Sequence, residues 1–196
     1  LLRAFALQDP ATLGLNPAEF HIWSERVAVD AVRQTSEYIA GTHGEAGMFA
    51  TLFFGILDPH TGRLRYVNGG HEPPLILRGG RVINHLKATG LAVGALAGAP
   101  FRAAQAALEP GDCLVLYTDG ITDAADTDGA PFSKARLTTL AAESRLAAQE
   151  VVRRVVTALD RHVGSNAPSD DVTLLVVFRE PAASAGPEFP PGLQDP

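Results

Sequence analysis

Residues 48–117 form a succession of short apolar segments, each closed by a turn rich in Gly, Pro, Asp or Asn. The first segment, 48–57, is almost continuously apolar, which is typical of a strand buried on both faces. A turn at 58–62 and an alternating segment at 64–68 follow it, so this region is predicted to form a β-hairpin. A chain with this pattern must build much of its core from paired strands.

More strands and several helices are predicted around this hairpin. The other predicted strands are 75–77, 82–83, 101–108, 114–117 and 172–178. A long helix is expected from Pro17 to about Ala40, because Asn16 can cap it, Glu19 can complete a capping box and Gly41 can end it. Its core-facing residues are predicted to be Phe20, Trp23, Val27 and Ala31.

Two more helices are predicted between residue 120 and the last strand. The better-defined one places Val151, Val155 and Leu159 on one face, with Arg residues opposite and Gly164 as its stop. Strands, a helical pair and a returning strand together predict a layered domain of mixed α and β structure.

Length, charge and cysteine content narrow the class of protein. A chain of 196 residues suits one domain, and a net charge of -6 argues against non-specific binding to nucleic acid or anionic membranes. The single cysteine, Cys113, lies in an apolar run, which indicates a buried structural thiol and a cytoplasmic location. No segment has the length and apolarity for membrane insertion. Residues 181–196 are rich in Pro, Ala and Gly and are predicted to be a disordered tail, which leaves 1–180 as the folded domain.

Two aspartates occupy predicted strand ends. Asp119 follows the strand at 114–117 and precedes Gly120, which permits a sharp turn, while Asp170 shortly precedes the final strand. If those strands are antiparallel neighbours, the two carboxylates converge at one edge of a sheet, where they suit a hard divalent cation. Asp-Gly and Asp-Asp are also ordinary turn sequences, so the residues alone leave a purely structural role open.

Four segments resemble the metal-dependent protein phosphatase (PPM) family, and in particular its bacterial branch related to stage II sporulation protein E. They are GMFATLFFG at 47–55, YVNGGHEPP at 66–74, PGDCLVLYTDGITDA at 110–124 and DDVTLL at 170–175. Each segment alone is a weak signal, but the four occur in the family's order over residues 47–178. The resemblance implies an α+β fold, a four-layer α-β-β-α sandwich of antiparallel sheets, here expected to be incomplete at its N-terminus.

The same resemblance implies a dinuclear Mn²⁺ or Mg²⁺ site, with Asp119 and Asp170 matching the family's two C-terminal metal-binding aspartates. Asp171 and Gly120 are expected to support these ligands from neighbouring positions. Asp123 stands where the family often has Glu and is expected to lie on the surface or behind the ligands.

His71 has two possible roles, a structural one and a catalytic one. It lies in a predicted strand-to-loop bend, where it is expected to satisfy backbone groups, although histidine is a common general acid in phosphate chemistry. No side chain is expected to act as the nucleophile, because the resemblance implies a water activated between two metal ions.

By resemblance, the chain is a serine/threonine phosphatase that acts on a phosphorylated regulator. The implied substrate is a small protein of the anti-anti-sigma (STAS-like) type in a partner-switching pathway that regulates a sigma factor. The substrate would carry phosphoserine or phosphothreonine.

The family's N-terminal metal motifs have no counterpart in this sequence. The family has a Gly-Asp motif whose aspartate bridges both metals, and a later Asp-Val-x-Gly-His-Gly-like motif. Before residue 48 the only aspartates are Asp9 and Asp30, and neither follows an apolar strand. The opening segment, 1–5, resembles the later part of the helix that follows those motifs.

Three interpretations follow from the missing motifs. The chain is a fragment or truncated phosphatase with a partial metal site and exposed sheet edges that favour homo-oligomers, or a natural pseudo-phosphatase that binds a signalling partner. The third is an unrelated α/β domain whose Asp-Gly turns are coincidental.

Overall fold

The computed structural model describes residues 2–7, 10–143, 148–166 and 170–181 of the 196-residue chain. Within these ranges the chain forms eight strands and four α-helices. In chain order they are β1 (Leu2–Leu7), α1 (Pro17–His43), β2 (Leu52–Leu57), β3 (Arg63–Gly69), β4 (Leu75–Arg78), β5 (Arg81–His85), β6 (Ala104–Ala107), β7 (Cys113–Tyr117), α2 (Asp119–Thr122), α3 (Lys134–Glu143), α4 (Ala148–Val163) and β8 (Leu174–Phe178). The predicted tail lies outside the described residues apart from Pro181. None of the described helices is long and apolar enough to cross a membrane.

The strands form two four-stranded sheets. The first has the order β1-β2-β3-β6 and the second the order β5-β4-β7-β8. All pairs are antiparallel except β1 and β2, which run parallel. Helix α1 contacts β2 and β3, whereas α3 and α4 contact β5 and β8 of the other sheet. The predicted α+β sandwich with α-β-β-α layers is therefore confirmed, with one parallel pair in the first sheet.

Three apolar cores hold the four layers together. Side chains alternate between the two faces of a strand, so each central strand serves two cores. On β7, Leu114 and Leu116 pack between the sheets, while Val115 and Tyr117 pack against α3 and α4. The third core lies between α1 and the first sheet. Burial on both faces explains why these strands are apolar throughout.

Helix α1 begins as predicted and ends later than predicted. The Asn16 side chain accepts hydrogen bonds from the backbone N–H groups of Ala18 and Glu19, and the Glu19 carboxylate accepts one from the Asn16 N–H, which completes the capping box. The predicted stop at Gly41 is wrong, because the helix continues to His43. A glycine inside a helix costs only about 1 kcal/mol. The chain turns instead at Gly47, whose φ of 65° lies in the left-handed region.

The predicted core face of α1 is correct only in part. Phe20 is buried and Trp23 stacks on it with the ring centroids 5.6 Å apart, so both belong to the core. Val27 is half-buried and packs against the same core, whereas Ala31 is half-buried beside the fully buried stripe of Ala28 and Val32.

Two predictions about strand positions are wrong. The opening segment is not helical, since Leu2–Leu7 is a strand paired in parallel with Leu52–Leu57. An unpaired strand edge presents a row of free backbone groups, and β1 satisfies those of β2. The apolar run at 48–57 also enters its sheet only at Leu52. Met48 and Phe49 are exposed because Ala50 is paired with Val93 in a neighbouring loop.

Candidate metal centre

Strands β7 and β8 are antiparallel neighbours, which is the condition on which the predicted convergence of Asp119 and Asp170 depends. Their last paired residues are Tyr117 and Leu174. Asp119 follows the end of β7, and Asp170 precedes the start of β8. Both aspartates therefore emerge at the same edge of the second sheet. We refer to this edge as the site end of the sandwich.

The backbones that carry the two aspartates touch beyond the end of the paired strands. The Thr118 hydroxyl donates to the Asp171 carbonyl oxygen over 2.8 Å and accepts from the Thr173 N–H over 3.0 Å. Gly120 approaches so closely that a Cβ atom there would lie 2.4 Å from the Asp171 carbonyl oxygen and 3.4 Å from the Asp170 carbonyl carbon. Only a residue without a side chain permits this approach.

Each candidate ligand is exposed, and its carboxylate accepts a single hydrogen bond among the described residues. One Asp119 oxygen accepts from the Gly120 N–H over 3.1 Å, and one Asp170 oxygen accepts from the Asp171 N–H over 2.7 Å. In the described part of the chain, neither carboxylate forms an ion pair with Lys or Arg. Both carboxylates thus have oxygen atoms available for a ligand from solvent.

This donor set fits a hard divalent cation. The described residues contain no group of three or more His, Cys, Asp or Glu side chains able to hold a metal ion. Mg²⁺ commonly binds through one or two carboxylates and retains several waters. Two exposed carboxylates at one sheet edge have the chemistry that this mode of binding requires.

The neighbouring aspartates lie at the same end of the sandwich. Asp123 is exposed, and its carboxylate accepts from the Thr122 hydroxyl over 3.2 Å. Asp171 is also exposed, and its link to Thr118 runs through its backbone carbonyl.

His71 is buried beside the start of β2. Its Nδ1 atom lies 3.3 Å from the Thr51 hydroxyl, and the residue is only 4% exposed. Its backbone is held by Asn68, whose side chain accepts from the His71 N–H over 2.8 Å and donates to the His71 carbonyl over 3.1 Å. The same amide also donates to Leu86, so Asn68 joins two loops at the site end. Sequence reasoning missed this role, although an Asn at the end of a strand before Gly-Gly was a usable signal.

Tyr117 is a buried polar residue at the end of β7, two residues before Asp119, and sequence reasoning missed it too. It is fully buried, and its hydroxyl has no hydrogen-bond partner among the described residues. Burial, reinforced by the negative charge of Glu72, raises the pKa of Tyr117 to about 12. Glu72 itself pairs with Lys134 over 2.6 Å. At the start of the same strand, Cys113 is half-buried rather than buried as predicted, and burial together with the negative charge of Asp112 raises the pKa of its thiol to about 11.

Comparison with known proteins supplies a family for this arrangement. The family described as Stage II sporulation protein E matches residues 2–180. The chain is 38% identical over 151 residues to Protein IcfG of Synechocystis, which covers 77% of this chain and 24% of IcfG. It is 28% identical over 138 residues to the phosphoserine phosphatase RsbU of Bacillus subtilis, covering 69% of this chain and 41% of RsbU. The chain thus spans less than half the length of either relative.

The fold is shared with a solved structure as well. The SiaA-PP2C domain of Pseudomonas aeruginosa superposes with a TM-score of 0.66 at 20% sequence identity, covering 83% of this chain and 70% of that domain. At this identity the likeness concerns the fold alone.

Proposed function

Because this chain belongs to the stage II sporulation protein E family, we propose that it is a metal-dependent phosphatase domain for phosphoserine or phosphothreonine. The observation that carries the proposal is the meeting of the Asp119 and Asp170 segments at one sheet edge. Family membership supports the reaction, and the placement of two exposed carboxylates supports the site.

In the proposed site, the aspartates bind the metal ion, which supplies the reactive water. Asp119 and Asp170 would hold Mn²⁺ or Mg²⁺, and their negative charge matches a hard cation. A bound divalent cation supplies an activated water at neutral pH and neutralises charge on the phosphoryl oxygens. Since both carboxylates are exposed, a phosphorylated side chain on another protein can reach them without any opening of the core.

We propose that the substrate is a phosphorylated regulatory protein of the anti-anti-sigma type. RsbU, which matches 69% of this chain, is a phosphoserine phosphatase, and this supports phosphoserine as the phosphorylated residue. A cytoplasmic location and a domain boundary near residue 180 are part of the proposal. A single half-buried cysteine supports the first, and the end of the family match supports the second.

The experiment is phosphate release from a phosphoserine peptide in Mn²⁺. We expect Asp119→Asn and Asp170→Asn each to lower the rate by at least about 100-fold, since each removes a charged ligand. Asp30→Asn is the matched control, because Asp30 lies on α1 and forms surface ion pairs with Arg26 and Arg33.

Equal rates in all four proteins would refute the proposed site. A chain that releases no phosphate but binds a partner without metal, unaffected by either substitution, would support a pseudo-phosphatase instead.

A further inference from the structure

We propose that Thr118 is a positioning residue for the metal centre, and that its hydroxyl sets the spacing between the Asp119 and Asp170 segments. The inference rests on the proposed function, because it assigns a role toward the same cation. It concerns a side chain that carries no charge and binds no metal itself.

Thr118 lies between the last paired residue of β7, Tyr117, and the candidate ligand Asp119. The regular pairing of β7 with β8 ends at Tyr117 and Leu174. The Thr118 N–H donates to the Thr173 carbonyl over 3.1 Å, which extends the pairing by one residue. Backbone pairing goes no further among the described residues, so Asp170 and Asp171 lie beyond its reach.

The Thr118 hydroxyl bridges this gap. It accepts from the Thr173 N–H over 3.0 Å and donates to the Asp171 carbonyl over 2.8 Å. One hydroxyl therefore uses both its acceptor and its donor capacity on the segment that carries Asp170. Its direct neighbour in sequence, Asp119, is displaced whenever Thr118 moves.

Burial makes the hydroxyl difficult to replace. Thr118 is 1% exposed, so water has little access to the position of its oxygen. On the other side, Gly120 packs against the Asp171 carbonyl. The peptide between Asp171 and Val172, directly after Asp170, is thus held by a hydrogen bond from Thr118 and by the surface of Gly120.

Residues that orient metal ligands typically change metal affinity by about 10- to 100-fold when they are removed. Thr118→Val keeps the size and branching of the side chain but can neither donate nor accept. Thr118→Ser keeps the hydroxyl and loses only a methyl group. The pair therefore separates the hydrogen bonds from the packing.

The test is a Mn²⁺ titration of the 196-residue chain, with free Mn²⁺ measured by electron paramagnetic resonance. We expect Thr118→Val to weaken Mn²⁺ binding by about 10-fold, and Thr118→Ser to restore the affinity of the wild type. Hydrogen exchange of the Thr173 amide should accelerate in the Val variant and not in the Ser variant.

The control is Thr61→Val. Thr61 donates its hydroxyl to the Asp58 carboxylate at the opposite end of the sandwich, so this variant loses a hydroxyl of the same type. It should lower thermal stability without changing Mn²⁺ affinity.

The possible outcomes separate the two proposals. If the Asp119→Asn variant binds Mn²⁺ as tightly as the wild type does, the proposed metal centre is wrong. The proposed role of Thr118 is then wrong as well. If Asp119→Asn loses affinity while Thr118→Val keeps it, only the positioning role is overturned. A Ser variant as weak as the Val variant would also overturn it, because packing would then be the cause.

Discussion

Both ends of the sandwich combine a glycine in close contact with a carbonyl oxygen and a side chain that bridges two backbone segments. The two ends differ in whether their carboxylates have partners within the protein. At the site end, Gly120 lets two backbones touch and the Thr118 side chain bridges them. At the opposite end, a Cβ atom on Gly62 would lie 2.0 Å from the Leu108 carbonyl oxygen. There Arg179 donates to the Leu108 carbonyl over 2.6 Å and to the Thr61 carbonyl over 3.0 Å.

The carboxylates reveal the difference between the ends. At the opposite end, Asp112 is fully buried and receives two hydrogen bonds from Arg78, of 2.7 and 2.8 Å. Asp58 is also buried, and it accepts from the residues of its own turn. Asp119 and Asp170 are exposed, and among the described residues each carboxylate accepts one hydrogen bond, from the N–H of the next residue, and has no Arg or Lys partner. Carboxylates that stabilise a fold are satisfied by the fold, whereas those at the site end remain available for a ligand.

The largest effect is expected from Gly62→Ala at the opposite end. The new methyl group would overlap the Leu108 carbonyl, and φ is 73°, in the left-handed region. Overpacking and left-handed strain together should lower the free energy of unfolding by about 3–4 kcal/mol, measured by urea denaturation. Gly79→Ala is the control, because its φ is also positive but nothing lies within 4 Å. If both variants lose the same stability, the close approach at Gly62 has no cost.

A smaller loss of stability is expected from Gly120→Ala at the site end. Its backbone angle is ordinary, so only the contact with the Asp171 carbonyl must be relieved, at about 2 kcal/mol. Because that movement displaces Asp170, we expect Mn²⁺ affinity to fall about tenfold as well. Gly62→Ala should leave Mn²⁺ affinity unchanged. The distinction between the two ends would be lost if both variants altered metal binding equally.

The smallest effect is expected from Tyr117→Phe, and its sign is opposite. Removal of a buried hydroxyl without a partner in the described structure should raise the free energy of unfolding by about 1 kcal/mol at pH 7. The wild type should also lose stability as pH rises from about 10 toward 12, because unfolded Tyr117 ionises near pH 10, whereas its folded pKa is about 12.

The Phe variant lacks this part of the alkaline loss. Cys113, with a raised pKa, contributes a loss of the same sign in both proteins. The difference between the two urea series therefore belongs to Tyr117. A Phe variant that is less stable at pH 7 would show that the hydroxyl has a hydrogen-bond partner after all.

Local signals predicted most of the elements correctly. The capping box at Asn16 and Glu19 and the hairpin turns at 58–62 and Gly79-Gly80 depend on a few adjacent residues, so the sequence displays them directly. The edges of elements were less predictable. Met48 and Phe49 were predicted to lie in a buried strand. They are exposed, and the next residue, Ala50, pairs with Val93 in a loop that is distant in sequence.

The candidate site was predictable only as a set of residues. Asp119 and Asp170 were identified by their places at strand ends and by resemblance, and their roles remain predictions. Thr118 and Tyr117 were missed, because each acts on partners that no local pattern connects to it. Asn68 was missed despite its local contact with His71, and its second partner, Leu86, is distant in sequence.

The sequence by itself determined most of the strands and helices after residue 16 and which aspartates follow or precede them, since periodicity, caps and turns are properties of neighbouring residues. Only the tertiary structure decided that β7 lies beside β8, that Thr118 reaches Asp171 and that Gly120 packs against it. Some fifty residues of chain separate these partners. Their meeting depends on how the two sheets and their helices pack, and that packing is a property of the whole chain.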